Sequence, residues 1–199
     1  MMNVSVLLFD DFETLDVFGP VEILGRNKSD YQITFYSLSG GQIKNEHGIL
    51  MQTEPLKNIK EGTDIFLIPG GFGTRKEVDN AQLIDLIRQI SNQSKYVLTV
   101  CTGSALLAKT GLLDGKKATS NKRAFDWVTT QGNNVNWIKK ARWVVDDKYY
   151  TSAGVSAGMD MTLGFLADIH GIVFARTVAF QIEYNWQENK DEDKFSNSL

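Results

Sequence analysis

A chain of 199 residues with 42% hydrophobic content is long enough to bury one sizeable core and short for two. A net charge of −3 and an isoelectric point near 5.4, with no long Lys/Arg block, give no general attraction to phosphate backbones or anionic membranes, so neither nucleic acid nor membrane is an expected partner. The single cysteine excludes an internal disulfide and a cysteine-rich metal cluster, and with no basic leader and no apolar run of bilayer length the expectation is a cytoplasmic protein without metal.

Asn3 to Phe9 reads as a first buried strand, followed by a polar turn over 10–14 and a short helix from Leu15 to Leu24. Proline deep in a helix costs a hydrogen bond and clashes with the preceding turn, so the regular helix is expected to begin only shortly before Pro20, with Asp16 at the strand-to-helix end. Tyr31 to Leu38 is a second strand, and the segment to Thr53 holds a short hairpin bending at Gly48. Thr63 to Pro69 is another buried strand, running straight into Gly70-Gly71-Phe72-Gly73. Leu83, Ile84, Ile87 and Ile90 form one stripe of a helix over Asn80 to Ser91.

The stretch Tyr96 to Ala108 starts as a short β-branched run and turns, after Gly103, to small and aliphatic helix formers, with Cys101 on the join. Beyond it come a turn over 111–115, a short strand at 117–119, a short helix over Arg123 to Thr130 and a hairpin over Arg142 to Thr151. Two helices follow, one from Val155 with Met159, Leu163 and Leu166 on one face, the other over Val173 to Tyr184. Residues 1–187 are read as one domain, and the polar stretch 188–199 as a tail whose last residues are mobile and add little to the core.

Strands alternating with helices imply a mostly parallel sheet covered on both faces, whose ligand crevice lies beyond the carboxyl ends of the strands. The turn leading to Asp16, the Gly70-Gly71 bend and Cys101 all fall at such ends and are expected to converge on one pocket. A sharp strand-to-helix turn exposes a nucleophile, and the first free N–H groups of the next helix favour a thiolate there, although a lone cysteine is more commonly a small buried hydrophobe. Consecutive glycines let backbone N–H groups turn toward a ligand; Gly70, Gly71 and the amide of Thr102 would together make an oxyanion hole. The same glycines lack the Gly-Lys-Ser/Thr of a phosphate loop. A carboxylate beside Cys101 would share a proton with the thiol and serve as a general acid without histidine; Asp16 and Glu22 both qualify. His47, in a polar turn, and His170, before Gly171 at a helix end, read as structural. Phe12, Phe18 and Trp186 suit an interface or the core equally.

Leu15-Asp16-Val17-Phe18-Gly19-Pro20-Val21-Glu22, Pro69-Gly70-Gly71, Val100-Cys101-Thr102-Gly103-Ser104 and Thr151 to Asp160, in this order, resemble the DJ-1/PfpI superfamily over about residues 3 to 185. Within it the chain looks most like the isocyanide hydratases and the amidotransferase-like sensor domains of AraC-type regulators. The resemblance implies a flavodoxin-like three-layer α/β sandwich with a mostly parallel central sheet, as in class I glutamine amidotransferases, and a homodimer. It marks Cys101 as nucleophile, Asp16 as its acidic partner and Thr102 as a residue whose hydroxyl can hydrogen-bond that acid. Thr102 stands where the protease-like branch has histidine, and Asn121-Lys122 where many relatives of this branch carry Thr-His. The implied reaction is hydration of an isocyanide to an N-substituted formamide through a Cys101 thioimidate, with no cofactor. The alternatives are a non-catalytic redox or stress sensor with an oxidisable Cys101, a detached ligand-binding domain of a regulator, and another hydrolase or glyoxalase-type activity.

Overall fold

The apolar runs around Val4, Val6 and Leu7, Ile65 to Ile68, and Val97 and Leu98 are almost wholly excluded from solvent, as strands with helices on both faces require. The computed structural model describes residues 1–59 and 63–196. In chain order the elements are β1 (Met2–Leu7), α1 (Thr14–Gly25), β2 (Tyr31–Ser37), β3 (Gly41–Lys44), β4 (Leu50–Pro55), β5 (Ile65–Ile68), α2 (Thr74–Glu77), α3 (Ala81–Gln93) and β6 (Tyr96–Thr99). They continue as α4 (Gly103–Lys109), β7 (Lys117–Ala118), α5 (Phe125–Thr129), β8 (Asn136–Trp137), β9 (Trp143–Asp146), β10 (Tyr149–Ser152), α6 (Ala157–His170) and α7 (Ile172–Gln181).

Eight strands form one sheet in the order β3-β4-β2-β1-β5-β6-β10-β9. The six inner strands are parallel; only the edge strands β3 and β9 run antiparallel to their neighbours. Helices α1, α6 and α7 pack as one group and α2 to α5 as another, giving the covered parallel sheet expected from the alternation of elements and the flavodoxin-like α/β sandwich that the family resemblance implies. The chain leaves β1 toward β2 on one side and returns to β5 on the other. The switch point therefore lies between β1 and β5, and with β6 next in the sheet the ends of these three strands form the crevice. Among the described residues, no helix is long and apolar enough to cross a membrane.

Three expectations need correction. Helix α1 starts at Thr14 and carries Pro20 in its interior, at a cost of about 3 kcal/mol against an ordinary residue. Gly19 makes this possible locally, because the proline ring has no preceding Cβ to strike. Helix α2 and strand β8, with four and two residues, are too short to show a period in sequence and were not anticipated. The polar stretch after 187 also folds back on the molecule up to Ser196. Arg142 N–H donates to Lys190 O at 2.7 Å, Asp193 N–H donates to Lys140 O at 2.7 Å, and Asp193 is only 4% exposed. Its carboxylate supplies counter-charge for the buried cations Arg142 and Lys122, 3.4 and 3.9 Å away. Phe12 belongs to the core, while Phe18 and Trp186 pack partly buried against it.

Candidate active site

Cys101 follows β6 and precedes α4 in a left-handed conformation, φ +57°, which an L-residue adopts at a cost of about 1–3 kcal/mol. The fold holds it there. Cys101 N–H donates to Ala153 O at 3.2 Å, and Cys101 O accepts from Ser120 Oγ at 2.8 Å and Ser104 Oγ at 3.1 Å. The turn can close this tightly because Gly103 has no side chain: a Cβ there would lie 2.3 Å from Ile68 O. Val155 is another non-glycine residue at positive φ, +48°, and its backbone N–H, that of Thr102 and the side chain of Asn121 favour negative charge on the Cys101 sulfur. Strained backbone of this kind collects at functional sites.

Asp16 is fully buried on α1 and reaches across to the end of β5, where its Oδ2 accepts from Gly70 N–H at 2.8 Å. Its Oδ1 has no hydrogen-bond partner among the described residues. Burial pushes the Asp16 carboxyl well above the ordinary carboxylate range; Glu13 adds to the rise, while Gly70 N–H and the Cys101 thiol oppose it. The Cys101 thiol is also pushed up, first by burial and then by the Asp16 charge, against the pull of its three hydrogen-bond donors. Burial thus opposes ionisation of both groups. Burial works against the thiolate that the start of the seven-residue helix α4 was expected to favour.

Glu22, the other carboxylate considered, is half exposed and paired with Arg26. The Thr102 hydroxyl bonds the Gly71–Thr74 turn and not Asp16. Its Oγ1 accepts from Gly71 N–H and Thr74 Oγ1, each at 3.1 Å, and donates to Gly71 O at 3.3 Å. Both glycine N–H groups are thus engaged within the wall, Gly70 with Asp16 and Gly71 with Thr102, rather than turned toward a ligand as the oxyanion reading required. Gly70 still has a steric role, because a Cβ there would lie 2.6 Å from Thr102 N and 2.9 Å from Asp16 Oδ2. His47 Nδ1 bonds Thr14 Oγ1 and His170 Nε2 bonds Tyr31 OH, each at 2.7 Å; neither lines the Cys101 cavity.

That cavity measures about 320 Å³ and is lined by Cys101 and Thr102, the Gly71–Arg75 turn, Glu13, the 121–124 loop and Val155. Asn121 lies on it with its Oδ1 fixed by Ala124 N–H at 3.0 Å. Next in sequence, Lys122 is buried and donates to Ala141 O at 2.7 Å and Thr119 Oγ1 at 2.9 Å, with its pKa lowered to about 8 mainly by burial. Sequence reading noted Asn121 and Lys122 only as departures from a pattern, and Glu13, Phe72, Arg75, Arg123 and Val155 not at all as site residues. Their proximity depends on how four loops meet, which no local spacing encodes. No group of three or more His, Cys, Asp or Glu side chains that could hold a metal occurs among the described residues.

The DJ-1/PfpI family model matches residues 2–168. An isonitrile hydratase of Pseudomonas putida is 31% identical over 185 residues, spanning 92% of this chain and 78% of that protein. The HTH-type transcriptional regulator CdhR of Pseudomonas aeruginosa is 28% identical over 81% of this chain, which corresponds to 48% of the regulator. Among solved structures, a ThiJ/PfpI family protein from Pseudomonas syringae superposes with a TM-score of 0.84 at 26% identity, covering 92% of this chain and 75% of that one.

Proposed function

The chain belongs to the DJ-1/PfpI family, and on that premise we propose that it adds water to an isocyanide, giving an N-substituted formamide, with Cys101 as nucleophile and Asp16 as general acid. The observation that carries this reading is a thiol and a carboxyl buried together with neither of the chain's two histidines on their cavity. A Cys–His hydrolase needs imidazole to take the thiol proton and return it to a leaving group. An isocyanide has no leaving group to expel. Its terminal carbon needs one nucleophile and one proton, which are what this pair offers.

In the first step the sulfur–carbon bond forms as the Asp16 carboxyl delivers its proton to the same carbon, and the thiol proton passes to the carboxylate left behind. The S–H bond has then added across the carbon, giving a thioimidate on Cys101. Water adds to that carbon while the nitrogen takes up a proton. The carbon–sulfur bond breaks, sulfur recovers a proton, and the formamide leaves. The three donors around Cys101, Thr102 N–H, Asn121 and Val155 N–H, support negative charge on sulfur as it develops. A high resting pKa suits a thiol that is deprotonated only during attack.

The test is incubation with a simple isocyanide while formamide is followed by NMR. Stoichiometric formamide from the wild-type chain and none from Cys101→Ala are expected; unchanged isocyanide, or undiminished turnover in the variant, would sink the proposal. The homodimer implied by the family resemblance is supported by apolar side chains left bare on α7, with Val173 74% and Phe180 84% exposed, and sedimentation tests it.

A further inference from the structure

The six arginines of the chain divide into two sets. Arg26, Arg88, Arg142 and Arg176 each lie against a carboxylate: Glu22, Asp85, Asp160 with Asp193, and Glu188. Arg75 and Arg123 have no such partner among the described residues, and both line the Cys101 cavity. Arg75 is held in place all the same. Its guanidinium carbon lies 4.4 Å from the ring centre of Trp127 and 5.4 Å from that of Phe72. Stacking occupies the faces of a guanidinium and leaves the N–H groups along its edge available for a ligand. Glu13 is the one carboxylate that lines the cavity among the described residues, so its lining carries two cations and one anion.

We propose that Arg75 and Arg123 form an anion subsite, so that the natural substrate carries a carboxylate a few atoms from the electrophilic carbon attacked by Cys101. The inference rests on the reading of Cys101 as nucleophile, and its isocyanide form rests on the proposed hydration. A planar guanidinium pairs with a planar carboxylate through two parallel hydrogen bonds, which orients the substrate as well as attracting it. Glu13 on the same wall disfavours a substrate whose tail is cationic.

Alkylation of Cys101 tests the subsite without assuming any turnover. Iodoacetate and iodoacetamide are close in size and attack chemistry and differ in charge, so the ratio of their rate constants, read by intact mass, reports the field in the cavity. In the Arg75→Gln/Arg123→Gln double variant the iodoacetate-to-iodoacetamide ratio is expected to fall about tenfold, and in Glu13→Gln to rise. Added salt should lower the wild-type ratio and, with only the Glu13 charge left on the lining, raise that of the double variant. The iodoacetamide rate reports whether the thiol keeps its place. An unchanged ratio in the double variant, or a wild-type thiol that reacts with neither reagent, overturns the subsite. A second arm compares isocyanoacetate with its methyl ester as substrates. If neither turns over while the alkylation ratio still responds to the arginines, the hydratase reading fails and the subsite stands. If both turn over and the arginines alter neither ratio, the subsite fails and the hydratase reading stands.

Discussion

Asp16 and Asp160 are both fully buried carboxylates at the start of a helix, yet they are surrounded in opposite ways. Asp160 is saturated. Its Oδ2 accepts from Arg142 Nε at 2.9 Å and pairs with a second guanidinium nitrogen at 2.8 Å, and its Oδ1 accepts from Tyr184 OH and Gln187 N–H at 3.0 Å each. Asp16 has one backbone N–H on one oxygen and no partner on the other. Burial pushes both carboxyls up, but at Asp160 the Gln187 N–H, Arg142 and Tyr184 pull back, whereas at Asp16 little does. A buried carboxyl given cations and donors ties elements together; one denied them keeps its proton and can give it away.

Substitutions at the two sites should separate these roles. Asp16→Asn keeps the volume and an acceptor for Gly70 N–H and removes the proton; turnover is expected to fall roughly 10²- to 10⁴-fold in steady-state assays. Asp160→Ala leaves Arg142 buried beside Asp193 alone, and denaturant titration should show a loss of about 3–5 kcal/mol. The pH dependence sharpens the contrast further. Folded Asp16 holds a proton that the unfolded chain releases near pH 4, so wild-type stability falls as pH rises above that point, by up to about 1.4 kcal/mol per pH unit, until the folded carboxyl ionises. Asp16→Asn should flatten that slope in thermal melts from pH 4 to 9 and be the more stable protein at the alkaline end. Tyr184→Phe, which removes one hydrogen bond from the saturated site, should cost about 1 kcal/mol in denaturant titration. Equal pH slopes in wild type and Asp16→Asn would break the comparison.

The legible part of the fold was the part in which local pattern and burial agree. Runs such as Ile65 to Ile68 are apolar throughout because both faces are covered, and the loops after β1, β5 and β6 could be aligned at one end of the sheet from strand order alone. The choice between Asp16 and Glu22 lay in helix phase. Six residues at 100° each turn Glu22 about 240° away from Asp16, and the start of α1, obscured by Pro20, decides which of them faces inward. Donor direction was not legible. Whether Gly70 and Gly71 turn their N–H groups toward a substrate or into the wall depends on Asp16 Oδ2 and Thr102 Oγ1, on other loops. Nor was the identity of Arg75 and Arg123 as cavity residues, since a charge near a glycine turn reads as a solvated surface until the neighbouring loop is in place.

Asp193 also has a meaning in time. As the chain is synthesised, Lys122 and Arg142 are made well before the carboxylate that accompanies them. The parallel strands that carry Cys101 can pair while Asp193 is still on the ribosome, but the loop that brings Asn121 to the sulfur then holds a lysine bound for burial without that anion. The loop that carries Asn121 therefore gains its counter-charge only after the strands that carry Cys101 have been made.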